Sequence, residues 1–243
     1  MNIKNMINFD TLELSRYTVL IIDTSLSQIV VSVARNYSLI FYNSTDYNRN
    51  YDEVLIDNLK EILSSSNLGF LKIDFVAVDI GPGNFTGIRL GMASARAIGM
   101  ILDCPVVGFT SFAALACEMF VDKDKSQVYS IIGAKRKKVY GQLFDVNRLP
   151  ITKPKIFDIE ELDTFSSKNT VVVTNNEEIS VLKDIVFLEA NAEGIMLAAY
   201  DSLYKYVLKN KKYNYTDAPN PLYISDSGAQ PPSNWKKKPT LKS

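Results

Sequence analysis

Histidine is absent from all 243 residues, and this removes more chemistry than any other feature of the composition. Without it there is no Ser-His-Asp triad, no Cys-His pair, no His-Glu-x-x-His zinc helix and no two-His-one-carboxylate iron site. Cysteine is scarce as well. Cys104 and Cys117 are too few for a zinc cluster or a disulfide scaffold, and two thiols read as a protein of a reducing, intracellular compartment. Net charge of either sign is missing: 27 Lys plus Arg against 27 Asp plus Glu leaves zero. No apolar run approaches the ~20 residues that a membrane span needs. The stretch MNIKNMINFDTLELSR carries Asp10 and Glu13 and has no apolar core, unlike a secretory leader. A cytoplasmic protein without a membrane partner is the expectation.

What is present is an ordinary globular composition, 47% hydrophobic and 22% charged, long enough for one large or two small units. From Tyr17, YTVLIIDTS reads as a buried strand ending in residues that turn the chain. SQIVVSVARN and SLIFYNST complete a three-stranded meander with Asn36 at its turn. The period then changes. In NYDEVLIDNLKEILSSSN, Val54, Leu55, Leu59, Ile62 and Leu63 recur at helical steps behind an acidic first turn. IDFVAVDIGPG is a strand stopped by glycine and proline, TGIRLGMASARAIGMILD a helix, PVVGFTS a strand and SFAALACEMF a helix. This βββαβαβα order is not that of a plain Rossmann unit. VYSIIGAKRKKVYGQLFDVN opens a second half in the same way, NTVVVTNN and DIVFLEAN are further strands, and GIMLAAYDSLYKYVLKNKK is a helix. The fragmentary echo suggests two related α/β subdomains that meet near residues 108–126. The tail from Asp226 reads as loop or disordered chain.

GPGNFTG, Gly81 to Gly87, stands between a strand and a helix, where free amides can receive an anion. It is not a Walker A loop: five residues rather than four separate Gly81 from Gly87, which is followed by Ile88 and not Lys, and four residues after Gly83 comes Ile88 and not Gly. It is not a dinucleotide fingerprint, since Thr86 holds a glycine position. Either it is a tight turn with Thr86 as N-cap, or Asp23, Thr24, Ser25, Gly81, Gly83 and Thr86 form a phosphate loop. Along the helix, Gly87, Gly91, Ala95 and Gly99 recur every four residues as a stripe almost without side chains. Two interior glycines cost about 2 kcal/mol against alanine, and close approach of another helix would offset that loss. That helix is either internal, for instance the one at 51–63, or belongs to another protein. Two basic clusters, Lys135 to Lys138 and Lys236 to Lys238 beside Trp235, make local positive fields only, the second with the composition of a weak RNA contact.

With IDTS after the first strand, GPGNFTGIRLGMASARAIG after the fourth and PVVGFTSFAALA next, the chain resembles the bacterial TsaB (YeaZ) family of tRNA threonylcarbamoyladenosine biosynthesis proteins. Within the family's Gly-Pro-Gly-Ser-Phe-Thr-Gly-hydrophobic-Arg run, only Asn84 departs. PLYIS at Pro221 to Ser225 is similar to the family's late Pro-x-Tyr-Leu. The resemblance spans residues 17–225. It implies an α/β, actin-like (ASKHA, ribonuclease H-like) fold, with an extension over 1–16, an N-terminal subdomain over 17–108, a C-terminal one over 109–225 and a basic tail over 226–243. Three positions depart from the family pattern: Tyr51 in place of His, Asp57 in place of Pro, and Ile132-Gly133-Ala134-Lys135 in place of hydrophobic-Asp-Ala-Arg.

The resemblance also implies a role. Such proteins are non-catalytic partners of the homologous transferase TsaD, acting with the ATPase TsaE to place threonylcarbamoyl on tRNA, and forming a homodimer when alone. TsaD carries metal-binding histidines that the TsaB family lacks. The expected partner surface is Gly87, Arg89, Gly91, Ala95 and Gly99 with Leu55 and Leu59. No catalytic residue, metal or cofactor is expected, and weak nucleotide binding stays open. The competing reading is an enzyme in its own right, an ATP-dependent transferase of the same fold or a glycopeptidase. Against it stand the missing histidine and an IDTS turn without the glycine that kinases of this fold use.

Overall fold

A computed structural model describes residues 14–46, 51–65, 73–121, 126–134, 137–165, 167, 169–183, 185–208 and 218–224. The expectations for the tail over 226–243, for most of the extension over 1–16, and for Lys135 and Arg136 lie outside the described residues. In the first half, β1 (Thr18–Asp23), β2 (Gln28–Arg35) and β3 (Ser38–Asp46) form the meander. Asn36 and Tyr37 make its turn at φ 54° and 55°. Asparagine tolerates that region, whereas Tyr37 is held there by stacking on Tyr200, ring centroids 4.3 Å apart. Then come α1 (Tyr51–Ser65), β4 (Phe75–Asp79), α2 (Phe85–Leu102), β5 (Val106–Phe109) and α3 (Ser111–Val121).

The second half contains β6 (Gln127–Gly133), β7 (Lys138–Asp145), β8 (Lys155–Asp158), a 3-10 turn at Ile159–Thr164, β9 (Thr170–Thr174), α4 (Glu177–Lys183), β10 (Val186–Phe187) and α5 (Ala192–Leu208). The two sheets run β3-β2-β1-β4-β5 and β8-β7-β6-β9-β10. In each, the first strand pairs antiparallel with the second and parallel with the fourth. The echo in the sequence is therefore a repeat of topology, as in the actin-like fold. Sequence patterning passed over β8 and α4, which are short, and expected more of β10 than the two residues it has.

Alternation along β1 explains its unbroken apolar run. Val19 and Ile21 enter one core with Ala77, Phe109 and residues of α3 and α5. Leu20 and Ile22 enter another with Leu55 of α1 and Ile88, Met92 and Ala95 of α2. A strand covered on both faces needs no polar side. In the second sheet, Tyr129 and Ile131 face the 3-10 turn and α4, while Val128 and Ile132 face α3 and α5. The result is five layers, with α3 and α5 packed on each other between the sheets. Gly194 makes that crossing close, because a Cβ there would press on the Ala114 carbonyl and the Glu118 side chain.

Sequence order and spatial grouping part at α5. It follows the second sheet in the chain yet packs against β1 to β5 of the first. An ion pair fastens it: Arg148, on the turn after β7, donates from Nε to Asp201 Oδ2 at 2.7 Å and from an Nη to Oδ1 at 2.9 Å. Arg148 is 4% exposed. Removing one partner of a buried pair strands the other charge, at a typical cost of about 3–5 kcal/mol. Arg148→Met is expected to lower the unfolding free energy from urea titration by that amount, and a value within about 1 kcal/mol of the parent would show that the pair does not anchor α5.

The glycine stripe of α2 faces inward, which corrects the expectation of a partner helix. Gly87, Gly91, Ala95 and Gly99 are buried. A Cβ on Gly91 would strike Thr24 Oγ1 with Ile22 close by, and one on Gly99 would strike the Val106 side chain. Thr24 Oγ1 donates to the Gly87 carbonyl at 2.7 Å. The surface lying along the stripe is the sheet, through β1 and β5, so it is neither the helix at 51–63 nor another protein. Leu at position 91 overpacks this contact by about 1–3 kcal/mol, or about 2–4 °C per kcal/mol for a chain of this size. Gly91→Leu is therefore expected to melt clearly lower as an isolated chain, whereas an unchanged melting temperature would place the stripe on the surface.

Candidate functional site

Parallel pairing of β1 with β4 sets Ile22 beside Val78, so Asp23 and Asp79, next along each strand, emerge side by side. Both are within 1% of complete burial. Ser25 Oγ lies 3.0 Å from Asp23 Oδ1 and 2.6 Å from Asp79 Oδ2, within reach of both carboxylates with one hydrogen to give. Ser111, the first residue of α3, donates from Oγ to Asp79 Oδ2 at 2.7 Å and lies 2.9 Å from Ser25 Oγ. Ser25 N donates to Asp23 Oδ1 at 2.8 Å and Gly81 N to Asp79 Oδ1 at 2.7 Å. Burial raises both carboxyls above the ordinary range, Asp79 well above it, with the charge of Asp23 adding to the shift.

The two turns also close on each other. Asn84 N donates to the Ser25 carbonyl at 2.8 Å, and Ser111 N to the Gly81 carbonyl at 3.2 Å. Gly83 leaves no room for a Cβ against that Ser25 carbonyl, and Gly81 sits at φ +95°, where only glycine is unstrained. A phosphate between the turns would need free amides and space. The Ser25 and Gly81 amides are directed at carboxylates instead, so the two turns meet in a hydrogen-bonded seam that does not offer these amides to an anion. Thr86 is set apart from them on the exposed first turn of α2. Nor is it the N-cap. Asn84 caps α2, accepting from Gly87 N at 3.0 Å, and since Asn and Ser cap equally well, the departure from the family run keeps the turn intact.

Of the expected partner residues, Leu55 is fully buried and belongs to the core, as do Gly87, Gly91, Ala95 and Gly99. Leu59 is half-buried. Arg89 alone among them is exposed, its guanidinium 3.9 Å from the centre of the Phe85 ring. The opposite face of α2 is the one that meets solvent. Phe85, Met100 and Ile101 are 53%, 66% and 76% exposed, with Ala93, Arg96 and Ala97 exposed between them. Residues 218–224 border this face. Arg96 donates to the Pro219 carbonyl at 2.6 Å, Leu222 N to the Ile80 carbonyl at 2.8 Å, and Tyr223 lies 6.1 Å from Phe85, ring to ring. The signal was legible: a helix that stays apolar on the side away from its buried stripe has a second contact to make. The helix holds two arginines and no carboxylate.

At the departures from the family pattern, Asp57 is exposed, 3.3 Å from Lys60. Gly133 is half-buried, and a Cβ there would touch the Asn176 amide. The Tyr51 side chain lies outside the described residues. Among the described residues, no group of three or more Cys, Asp or Glu is placed to hold a metal ion, and no helix is long and apolar enough to cross a membrane.

The comparisons agree with this architecture. The family model described as TsaD, tRNA N6-adenosine threonylcarbamoyltransferase, matches residues 44–188. The chain is 26% identical over 219 residues to the tRNA threonylcarbamoyladenosine biosynthesis protein TsaB of Buchnera aphidicola subsp. Acyrthosiphon pisum, covering 84% of this chain and 97% of that protein. To the TsaB of Haemophilus influenzae it is 32% identical over 92 residues, 38% of this chain and 39% of the relative. The solved structure of YeaZ from Pseudomonas aeruginosa superposes with a TM-score of 0.72 at 17% identity, covering 86% of this chain and all of that one, which supports the fold. A family model that spans more than half of the sequence places this protein in the family it describes, that of TsaD, and a TsaB relative along 84% of the chain together with the shared YeaZ architecture identifies its likeness within that family as TsaB/YeaZ.

Proposed function

We propose that the chain is a non-catalytic partner of a TsaD-type threonylcarbamoyltransferase in the formation of tRNA threonylcarbamoyladenosine. The observation that carries this reading is the outer face of α2. It begins within the GPGNFTG run, at Phe85, it is apolar at Phe85, Met100 and Ile101, and its only charges are Arg89 and Arg96. Aromatic and arginine side chains within an apolar patch are what protein interfaces concentrate. A partner fitting it offers apolar side chains with carboxylates opposite the arginines. A TsaE homologue and the tRNA join through that complex in the cytoplasm, and a second copy of the chain occupies the same face when the transferase is absent.

The chain brings no catalytic group of its own to this reading. It has no histidine, and its two best-placed carboxylates, Asp23 and Asp79, are turned on each other inside the seam. A nucleotide-dependent transferase would have to part the β1 and β4 turns and find other partners for four buried side chains. No cofactor is therefore proposed.

Charge reversal on the outer face tests the reading without touching the core. Arg89→Glu combined with Met100→Glu is expected to fold with an unchanged melting temperature. It should bind the TsaD homologue of the same cell at least roughly thirtyfold more weakly, as for the loss of a hot spot of about 2 kcal/mol. In a reaction reconstituted from the TsaD and TsaE homologues, threonylcarbamoyl-adenylate, ATP and tRNA, it should restore modification only in proportion to the binding that remains. Full binding by the variant would sink the surface assignment, and full modification with the chain left out would sink the function.

A further inference from the structure

The hydrogen bonds of the seam do not balance if both aspartates are charged. Four oxygen-to-oxygen contacts join Asp23, Ser25, Asp79 and Ser111: 3.0 Å from Ser25 to Asp23, 2.6 Å from Ser25 to Asp79, 2.7 Å from Ser111 to Asp79 and 2.9 Å between the hydroxyls. Each serine supplies one hydrogen. Ser25 cannot donate to both carboxylates, so with two anions one carboxylate oxygen faces the Ser25 oxygen with no hydrogen between them. An added proton on Asp79 Oδ2 resolves this. Asp79 then donates to Ser25, Ser25 donates to Asp23, Ser111 donates to Asp79, and only the neutral contact between hydroxyls is left without a hydrogen.

We propose that Asp23 and Asp79 together retain one proton at neutral pH, and that this proton latches the β1 turn, the β4 turn and the start of α3. The surroundings support it. Among the described residues, the interactions that act on the pair come from Ser25, Leu26, Gly81, Ser111 and the two carboxyls themselves, with no cation among them. A buried pair of carboxyls without a cation does not hold two negative charges. The place matters for the whole fold, because α3 continues from Ser111 beneath the second sheet, where Ser130 Oγ of β6 donates to the Phe112 carbonyl at 2.9 Å. Loss of the proton sets like charges against each other where the two sheets are joined, so the latch loosens as pH rises.

The histidine-free chain makes the test clean. From about pH 5 to about pH 8 ordinary carboxylates are already ionised and lysines and tyrosines are not yet titrating. Burial holds the Cys104 thiol up at about 11 and pushes the Cys117 thiol up as well, so their release of protons on unfolding adds slope only toward the top of the window and adds it equally in parent and variant. A native state that keeps one proton which the unfolded state releases loses stability as pH rises, from the unfolded carboxyl range up to the native one. For the full chain in urea, the unfolding constant is expected to grow about tenfold per pH unit across that window. Asp79→Asn carries its donor hydrogen at every pH and is expected to remove this slope. Independently of whether that variant folds, the native parent at pH 7 should show the infrared C=O stretch of a protonated carboxyl, moved by carbon-13 labelling of aspartate. Equal slopes in parent and variant, or no such band in the native parent, would overturn the proposal.

Discussion

Two strand ends that must leave a buried parallel pair side by side impose the constraint on which the other features of this fold depend. β1 and β4 are covered on both faces, so their last residues, Asp23 and Asp79, have no water to turn to. A buried carboxylate is tolerated only when its oxygens are met by donors. The donors come from the turns and from the start of α3: Ser25, the Gly81 amide and Ser111. Satisfying the aspartates therefore closes the turns, and closing them draws in the helices that follow. Thr24 fixes the first turn of α2 through the Gly87 carbonyl, and Ser111 ties α3 to Gly81.

Once α2 is drawn onto the sheet, its two faces take different tasks. The small inner face lets the helix backbone approach Thr24 and Val106. This packing is a return for the helix propensity that glycine gives up. The outer face is left with Phe85, Arg89, Met100 and Ile101, and residues 218–224 come back across the fold to border it. On the proposed reading the protein acts by contact through this face rather than by turnover, although apolar side chains are exposed elsewhere too, at Ile40, Val146, Ile151, Val181 and Phe187. The family likeness and this geometry support the same reading from different directions.

The sequence made the architecture legible because burial on both faces leaves a mark. YTVLIID and VYSIIG each read as strands that need cover on two sides, and each is followed by a hairpin partner, which is the topological repeat seen in the sheets. The return of α5 to the first sheet was not legible, since it depends on Tyr200 meeting Tyr37, and neither was its tie to the second half through Asp201 and Arg148; both contacts are distant in sequence. The stripe shows the same divide. Its spacing was plain, but period does not say whether a sheet or a helix lies against it. Asp79 passed unnoticed inside a strand pattern while Asp23 read as a phosphate ligand, because only the register of β1 on β4 brings the two together. Asn84 was noted as a departure when its role is the cap.

The central claim is that the chain works through the outer face of α2 while its interior stays closed. Hydrogen exchange of the chain alone and bound to its TsaD homologue tests this most directly, because it reports the contacted segment without any substitution. The account predicts new protection over 85–102 and 218–224, with the amides of Ser25 and Gly81 slow to exchange in both states. Protection confined to the second sheet, or rapid exchange at Ser25 and Gly81 in the free chain, would contradict it.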